Sequence, residues 1–191
     1  GTVDTGTSAL TIAGNEMDFN GAVSGTGSLT LQPLNAGQDI AIAGTDNTTA
    51  ALDLTANDLS QFGAGLSLIT IGRADSTGTV TLNPFTFQSE VAIAGGSTLV
   101  GANQNTTWDI TGTDQGTLDG FGSNVRFANI ENLVGGTADD TFRFQPTGFI
   151  SGNIDGVGTV DTLDYSQYNA SVTVALGTNT PGTATGVGGS I

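Results

Sequence analysis

Short pairs of apolar residues, spaced i and i+2, recur along the whole sequence between breaks rich in glycine, asparagine, aspartate and threonine. Alternate residues of a strand share one face, so each pair predicts a short strand that turns one face to a core. The breaks supply residues that tolerate sharp corners. The pairs are Leu10/Ile12, Met17/Phe19, Leu29/Leu31, Ile40/Ile42, Leu52/Leu54, Leu66/Leu68, Val80/Leu82, Val91/Ile93, Trp108/Ile110, Val125/Phe127, Phe142/Phe144, Leu163/Tyr165 and Val172/Val174.

Helical periodicity is nearly absent from the chain. No segment keeps apolar residues at i, i+3, i+4 and i+7 over three turns. The nearest candidate, residues 50–62, contains Asn57 and Asp58, which are weak helix formers. The sequence therefore predicts an all-β protein with almost no helix.

An internal repeat suggests how the strands are arranged. Residues 27–44 align without gaps on residues 78–95, an offset of 78 − 27 = 51 residues, and Pro33 falls on Pro84. Self-similarity at a fixed offset is typical of stacked architectures. A β-sandwich would not produce such an offset, whereas two β-helix coils of roughly 20–25 residues each would. We expect a right-handed parallel β-helix, a β-solenoid, of roughly eight coils.

The sequence predicts one continuous β-solenoid over residues 1–191, because it has no proline- or serine-rich stretch that would separate two domains. Its character changes within that span. Residues 1–100 are rich in aliphatic side chains, and residues 101–191 are richer in phenylalanine and aspartate.

Composition excludes most catalytic and nucleic-acid functions. The 191 residues include 18 Asp and Glu but only 3 Lys and Arg, and no His or Cys, for a net charge of −15. A Ser-His-Asp triad, a thiol nucleophile and an ordinary zinc site all need residues that are missing. Nucleic acid is a poor partner for so acidic a surface. No apolar run approaches the ~20 residues of a membrane span. We predict a non-enzymatic protein with no required cofactor, no nucleic-acid partner and no membrane insertion.

Roughly residues 66–190 resemble a known family in pattern, with no catalytic signature. The likeness rests on residues 68–82, 91–96, 105–112, 127–142, 161–166 and 172–178. These segments are similar to the filamentous-haemagglutinin-like giant repetitive exoproteins of cyanobacteria and related bacteria. The resemblance implies a secreted or surface-attached right-handed β-helix that serves as a stalk, adhesin or filament.

Part of this stretch also resembles a degenerate haemolysin-type calcium repeat, Gly-Gly-x-Gly-x-Asp-x-apolar-x. Residues 135–142 keep two glycines, Asp140 and Phe142, but have Ala138 in place of the third glycine. A second copy begins at Gly156 and loses two glycines. The resemblance makes four residues candidate calcium ligands: Asp139, Asp140, Asp161 and Asp164. The alternative is that Asp139, Asp140 and Asp161 cap main-chain amides at corners.

Other candidate sites have structural interpretations. Trp108, Tyr165 and Tyr168 could stack on sugars, but Trp108 alternates with Ile110 and Tyr165 with Leu163, which favours core positions. The arginines are expected to pair with nearby corner acids, Arg73 with Asp75 for instance.

The functional hypothesis rests on the two ends of the predicted β-solenoid. Its terminal coils expose unpaired main-chain groups, which need a cap or a continuing stack. We expect no cap at either end, that is, no amphipathic helix and no charged hairpin at residues 1–10 or 181–191. The leading hypothesis is a structural module of a secreted or cell-surface adhesin, sheath or filament. Its partners would be neighbouring solenoid modules or identical subunits in a head-to-tail homopolymer. The alternative is a calcium-dependent module that binds surface polysaccharide or another surface.

Overall fold

A computed structural model describes residues 1–46, 51–158, 160–177 and 180–191. Within these ranges the chain forms nineteen strands and one five-residue helix, α1 (Ala56–Ser60). In chain order the strands are β1 (Val3–Asp4), β2 (Leu10–Ala13), β3 (Val23–Ser24), β4 (Ser28–Gln32), β5 (Asp39–Gly44), β6 (Ala51–Thr55), β7 (Leu68–Gly72), β8 (Thr79–Leu82), β9 (Val91–Ala94), β10 (Thr98–Val100), β11 (Thr107–Gly112), β12 (Gln115–Leu118), β13 (Val125–Ala128), β14 (Asn132–Val134), β15 (Thr141–Phe144), β16 (Ile154–Asp155), β17 (Thr162–Asp164), β18 (Val174–Ala175) and β19 (Thr183–Ala184). The predicted β-rich chain with almost no helix is confirmed.

Two large sheets contain most of the strands. The long sheet has nine strands in the order β17-β15-β11-β12-β13-β9-β7-β4-β2, and the short sheet has six in the order β16-β14-β10-β8-β5-β6. Every pair in the short sheet is parallel. In the long sheet only β12 runs antiparallel to its neighbours, β11 and β13. The prediction of long parallel sheets is therefore confirmed.

The core consists of apolar side chains that stack in register from strand to strand. Two such rows run along the first five parallel strands of the long sheet, and one runs through the whole short sheet. The rows are Leu10–Leu29–Ile69–Val91–Val125, Ile12–Leu31–Ile71–Ile93–Phe127 and Leu52–Ile40–Val80–Leu99–Leu133–Ile154. All except Leu10 and Ile12, on the edge strand β2, are buried. Most of the i, i+2 pairs thus form strands with one face in the core, as predicted. Three pairs are wrong: Met17/Phe19 lies outside the described strands, Leu66/Leu68 straddles the start of β7, and Val172/Val174 has both side chains exposed.

The interval between stacked residues is not constant along the chain. Leu10 pairs with Leu29, but Leu29 pairs with Ile69, which lies about twice as far along the sequence. The 51-residue repeat matches neither interval. Its aligned strands β4 and β8 even lie in different sheets. The prediction that this repeat spans two coils is therefore wrong.

Two insertions cause the long intervals. The segment of β6 and α1 folds back so that β6 becomes the outermost strand of the short sheet, beyond β5. The hairpin of β11 and β12 places an extra antiparallel strand inside the long sheet. It therefore increases the number of residues between Val91 and Val125, which pair with each other. Both insertions keep the neighbouring parallel strands in register.

Aromatic side chains fill the core beside the hairpin. Trp108 is fully buried, and its ring stacks on Phe142 with a centroid distance of 5.5 Å. Phe121, Phe127 and Phe144 are also buried. The predicted core position of Trp108 is confirmed, and the phenylalanine-rich section coincides with the extra strand.

A hairpin lies at the end of the stack formed by β16 and β17. Strands β18 and β19 pair antiparallel, and the following residues continue beside residues 150–154, where Ile154 N donates to Ser190 O at 2.9 Å. Val187 is buried within this segment. The expectation of no cap at residues 181–191 is wrong in part: β19 belongs to a hairpin, although one without charged side chains, and Val187 covers part of the last layer.

Candidate functional site

Asp140 is the most buried of the predicted calcium ligands, with 1% of its surface exposed. Its Oδ2 accepts a hydrogen bond from Gly136 N at 2.7 Å, and its Oδ1 accepts one from Thr106 N at 3.1 Å. Burial raises the pKa of the Asp140 carboxyl, and the two amides oppose that rise. The carboxylate closes a corner between the short and long sheets.

The same corner recurs in successive layers. Thr106, Asp140 and Asp161 each stand one residue before strands that pair in register, β11, β15 and β17. Asp161 Oδ1 accepts from Asp140 N at 3.0 Å, as Asp140 does from Thr106. A Cβ at Gly135 would lie 2.5 Å from Asp140 Oδ2. This crowding explains why a glycine precedes the aspartate by five residues.

The other two predicted ligands make different contacts. Asp139 is exposed, and its Oδ1 accepts from Val160 N at 3.1 Å. Asp164 lies in β17, where its carboxylate is 3.3 Å from Arg143 Nε and accepts from Ser166 N at 2.8 Å. The hydrogen bond from Ser166, aided by Arg143, holds the pKa of Asp164 below its usual range. In the structure, Asp139, Asp140 and Asp161 lie at one corner, whereas Asp164 forms an ion pair with Arg143.

These contacts define what the corner can do. Calcium needs six to eight oxygen ligands. At this corner, one or both carboxylate oxygens of each aspartate already accept main-chain amides. The geometry is that of amide capping, which was the alternative interpretation of these aspartates, and calcium binding here stays a prediction.

A second group of carboxylates forms from residues that no sequence motif links. Glu16, Asp46 and Asp53 lie with a carboxylate oxygen of each within 4.8 Å of the others, and Asp53, in β6, is 1% exposed. Burial and the charges of Asp53, Asp18 and Asp46 raise the pKa of Glu16. Across the described ranges this is the one group of three acidic residues so close together, and it could hold a divalent cation. The one local signal is Asp53 itself, an acid between two core leucines.

Each arginine lies beside an acid. Arg73 Nε is 2.6 Å from Asp75 Oδ1, so the predicted pairing is confirmed. Arg143 lies between Asp109 and Asp164, at 3.6 and 3.3 Å. The third arginine pairs with Glu90 at 3.5 Å. The three arginines therefore each neutralise a different acid or pair of acids.

Tyr165 continues the aromatic core into the last layer. Its ring stacks on Phe144 with a centroid distance of 4.9 Å, and its hydroxyl donates to Thr185 O at 2.6 Å. Burial raises the pKa of Tyr165 to about 12. The ring packs against the core, as predicted, and its hydroxyl anchors the segment that contains β19.

Comparison with protein-family models, with curated proteins and with solved structures finds no match. In the part of the chain that the structure describes, no helix is both long and apolar enough to cross a membrane.

Proposed function

We propose that this chain is a structural module of a secreted or cell-surface adhesin, sheath or filament, and that its fold is a right-handed parallel β-helix. The observation that carries the proposal is the in-register stacking of buried apolar rows through successive parallel strands. Stacked strands resist bending, because each layer is joined to the next by main-chain hydrogen bonds and by core packing. The module would act through its shape and would be non-enzymatic.

The size of the sheets supports a rod-like role. Strands stack about 4.8 Å apart, so the nine strands of the long sheet extend for about 40 Å. Threonines such as Thr11, Thr30 and Thr70 form a row on the outer face of that sheet. Their hydroxyls give a polar surface with few charges, which suits a module that joins others end to end.

Electron microscopy of the purified chain at rising concentration tests this proposal. We expect elongated particles of constant width whose length increases in steps, because modules that act through shape join at their ends. A matched variant with Leu31→Asp in a core row should lose the rod shape. Single globular particles of wild-type protein at every concentration would contradict the proposal.

The alternative, a calcium-dependent module that binds polysaccharide or another surface, is supported by the carboxylate group of Glu16, Asp46 and Asp53. A divalent cation would relieve the repulsion among these acids. Protein stability measured with calcium and with a chelator separates the two functions.

A further inference from the structure

Strand β17 is the outermost strand of the long sheet. It pairs with β15, and no other described strand pairs with it. Its three side chains, Thr162, Leu163 and Asp164, are exposed or half-buried. The outer edge of such a strand has main-chain donors and acceptors that a further strand can satisfy. The last layer of the long sheet can therefore accept another strand.

An apolar cavity of about 500 Å³ lies beside this edge. Leu163 lines it together with Ile154 of the short sheet and Leu176 of the segment that follows β18. Leu163 also ends a row in which Trp108 pairs with Phe142 and Phe142 pairs with Leu163. Trp108 and Phe142 are buried, whereas Leu163 is half-buried. The cavity therefore offers space for one more apolar side chain of this row.

Charges alternate along the neighbouring row of the same three strands. Asp109 pairs with Arg143, and Arg143 pairs with Asp164. The Nε atom of Arg143 is 3.6 Å from Asp109 Oδ1 and 3.3 Å from Asp164 Oδ2. Opposite charges placed across adjacent strands stabilise a sheet, and like charges destabilise it. The residue that continues this row beyond Asp164 should therefore be basic.

The rest of the last layer also favours a basic partner. Residues 144–191 contain the acids Asp155, Asp161 and Asp164 and no basic residue. Asp155 and Asp161 are exposed, and Asp161 lines the cavity beside Leu163. A partner with a positive charge at this end would reduce the repulsion among these carboxylates.

We propose that the edge of β17 accepts a parallel strand from a neighbouring module, in which a large apolar residue is followed directly by arginine or lysine. The apolar residue would stack on Leu163 and fill the cavity, and the basic residue would lie beside Asp164. Strand β15 already has this order, with Phe142 followed by Arg143. In strand addition, main-chain hydrogen bonds give affinity and side-chain pockets give specificity. The proposal rests on the structural role proposed above and names the kind of strand that continues the stack.

Titration of the full chain with a synthetic peptide, followed by NMR, tests this proposal. The probe is Gly-Ser-Thr-Leu-Arg-Thr-Ser-Gly, and we expect saturable shifts of the amide signals of residues 162–164 and 176. The control is the exact reverse sequence, which has the same composition and charge but places arginine before leucine. It should bind about tenfold more weakly, because a parallel strand then puts its charge over the cavity. Equal affinity for the two peptides would show attraction by charge alone and would overturn the proposal.

A pair of protein variants tests the contribution of Asp164. Asp164→Asn keeps a side-chain oxygen that can accept from Ser166 N but removes the charge, so affinity for the probe should fall about fivefold. The matched control is Asp75→Asn, which also removes an acid paired with an arginine but lies outside the last layer. Equal weakening by both substitutions, or by neither, would overturn the proposal.

Failure of this inference is distinguishable from failure of the proposed function. If the purified chain forms elongated particles but binds neither peptide at residues 162–164, this inference is wrong and the structural role stands. If the probe binds there but the chain forms single globular particles at every concentration, end-to-end joining is wrong. The edge of β17 is then a binding site for a strand without being a joint between modules.

Discussion

At the scale of single residues, the aspartates do more for the fold than their exposed charge suggests. Asp140, Asp161 and Asp119 each use a carboxylate oxygen to accept an amide at the start of a strand or one residue before it. A short strand that leaves a tight corner has amides without ladder partners, and a nearby carboxylate satisfies them. Part of the acidic composition therefore has a structural role.

Asp140→Ala tests this role. Because it leaves the amides of Gly136 and Thr106 buried without acceptors, we expect the free energy of unfolding to fall by about 2–4 kcal/mol. Urea denaturation at neutral pH measures the change. The control is Asp139→Ala in the exposed neighbour, expected to cost under about 1 kcal/mol. Equal losses in the two variants would show that Asp140 has no special part in the corner.

Glu16→Gln should make stability less dependent on pH. The pKa of Glu16 is raised above its ordinary 4.5 in the folded protein, so the folded state binds the proton more tightly than the unfolded state does. That stabilisation is present below the ordinary pKa and is lost as pH rises through the raised value. The variant keeps a neutral side chain, so its melting temperature should increasingly exceed that of wild type as pH rises from about 4 through the raised pKa of Glu16.

The control for that series is Glu131→Gln, which changes an exposed acid elsewhere. If both variants follow the wild-type pH profile, burial and repulsion of the Glu16 carboxylate do not limit stability.

Neither this cluster nor its effect could be predicted from sequence, because Glu16, Asp46 and Asp53 meet only after β6 folds back beside β5. Asp140 could be predicted as a candidate site residue from the sequence. Its main-chain hydrogen-bond partners could not, because they depend on the stacking of layers that are distant in the sequence.

At the scale of elements, helix α1 shows how a local signal acts inside a β-rich chain. Thr55 and Asp58 form a capping box, in which Thr55 Oγ1 accepts from Asp58 N and Asp58 Oδ2 accepts from Thr55 N at 2.9 Å. Asp58 Oδ1 also accepts from Phe19 N at 2.7 Å. The aspartate therefore fastens the helix to a segment much earlier in the chain.

Asp58→Ala should weaken this end of the stack. The loss of the cap and of the bond to Phe19 should cost about 2–3 kcal/mol. Hydrogen exchange should then rise at residues 51–60 and 19 before it rises elsewhere. Asn57→Ala, at an exposed helix position, is the matched control and should change exchange little. A uniform increase over the whole chain would instead indicate that α1 opens only on global unfolding.

Strand positions could be predicted well because alternation is a local property. Leu29 and Leu31, or Val80 and Leu82, face the core wherever the strand lies, so each pair is informative by itself. The pairing of strands could not be predicted in the same way. The antiparallel strand β12 and the strand β6, which folds back beside β5, change the number of residues between paired strands. Residues 27–44 and 78–95 therefore have similar strand sequences but occupy different positions in the fold.

At the scale of the whole molecule, excess negative charge should make stability sensitive to salt. We expect sodium chloride to raise the melting temperature, with calcium and magnesium acting alike at equal ionic strength, because screening depends on ionic strength rather than on the ion's identity. Differential scanning calorimetry with each salt, and with a chelator, makes the comparison. A calcium-selective gain of several kcal/mol, lost with the chelator, would instead establish a specific site and favour the alternative function.

The returning strand β6 also bears on how the molecule is made. Strands β5 and β6 pair from Asp39 with Ala51 to Ile42 with Leu54. They are so close in the sequence that they can meet as soon as Thr55 has emerged from the ribosome. The other neighbour of β5, β8, arrives later. When β5 and β6 pair first, β6 already covers the outer side of β5. Later strands can then add to the short sheet only on the other side of β5.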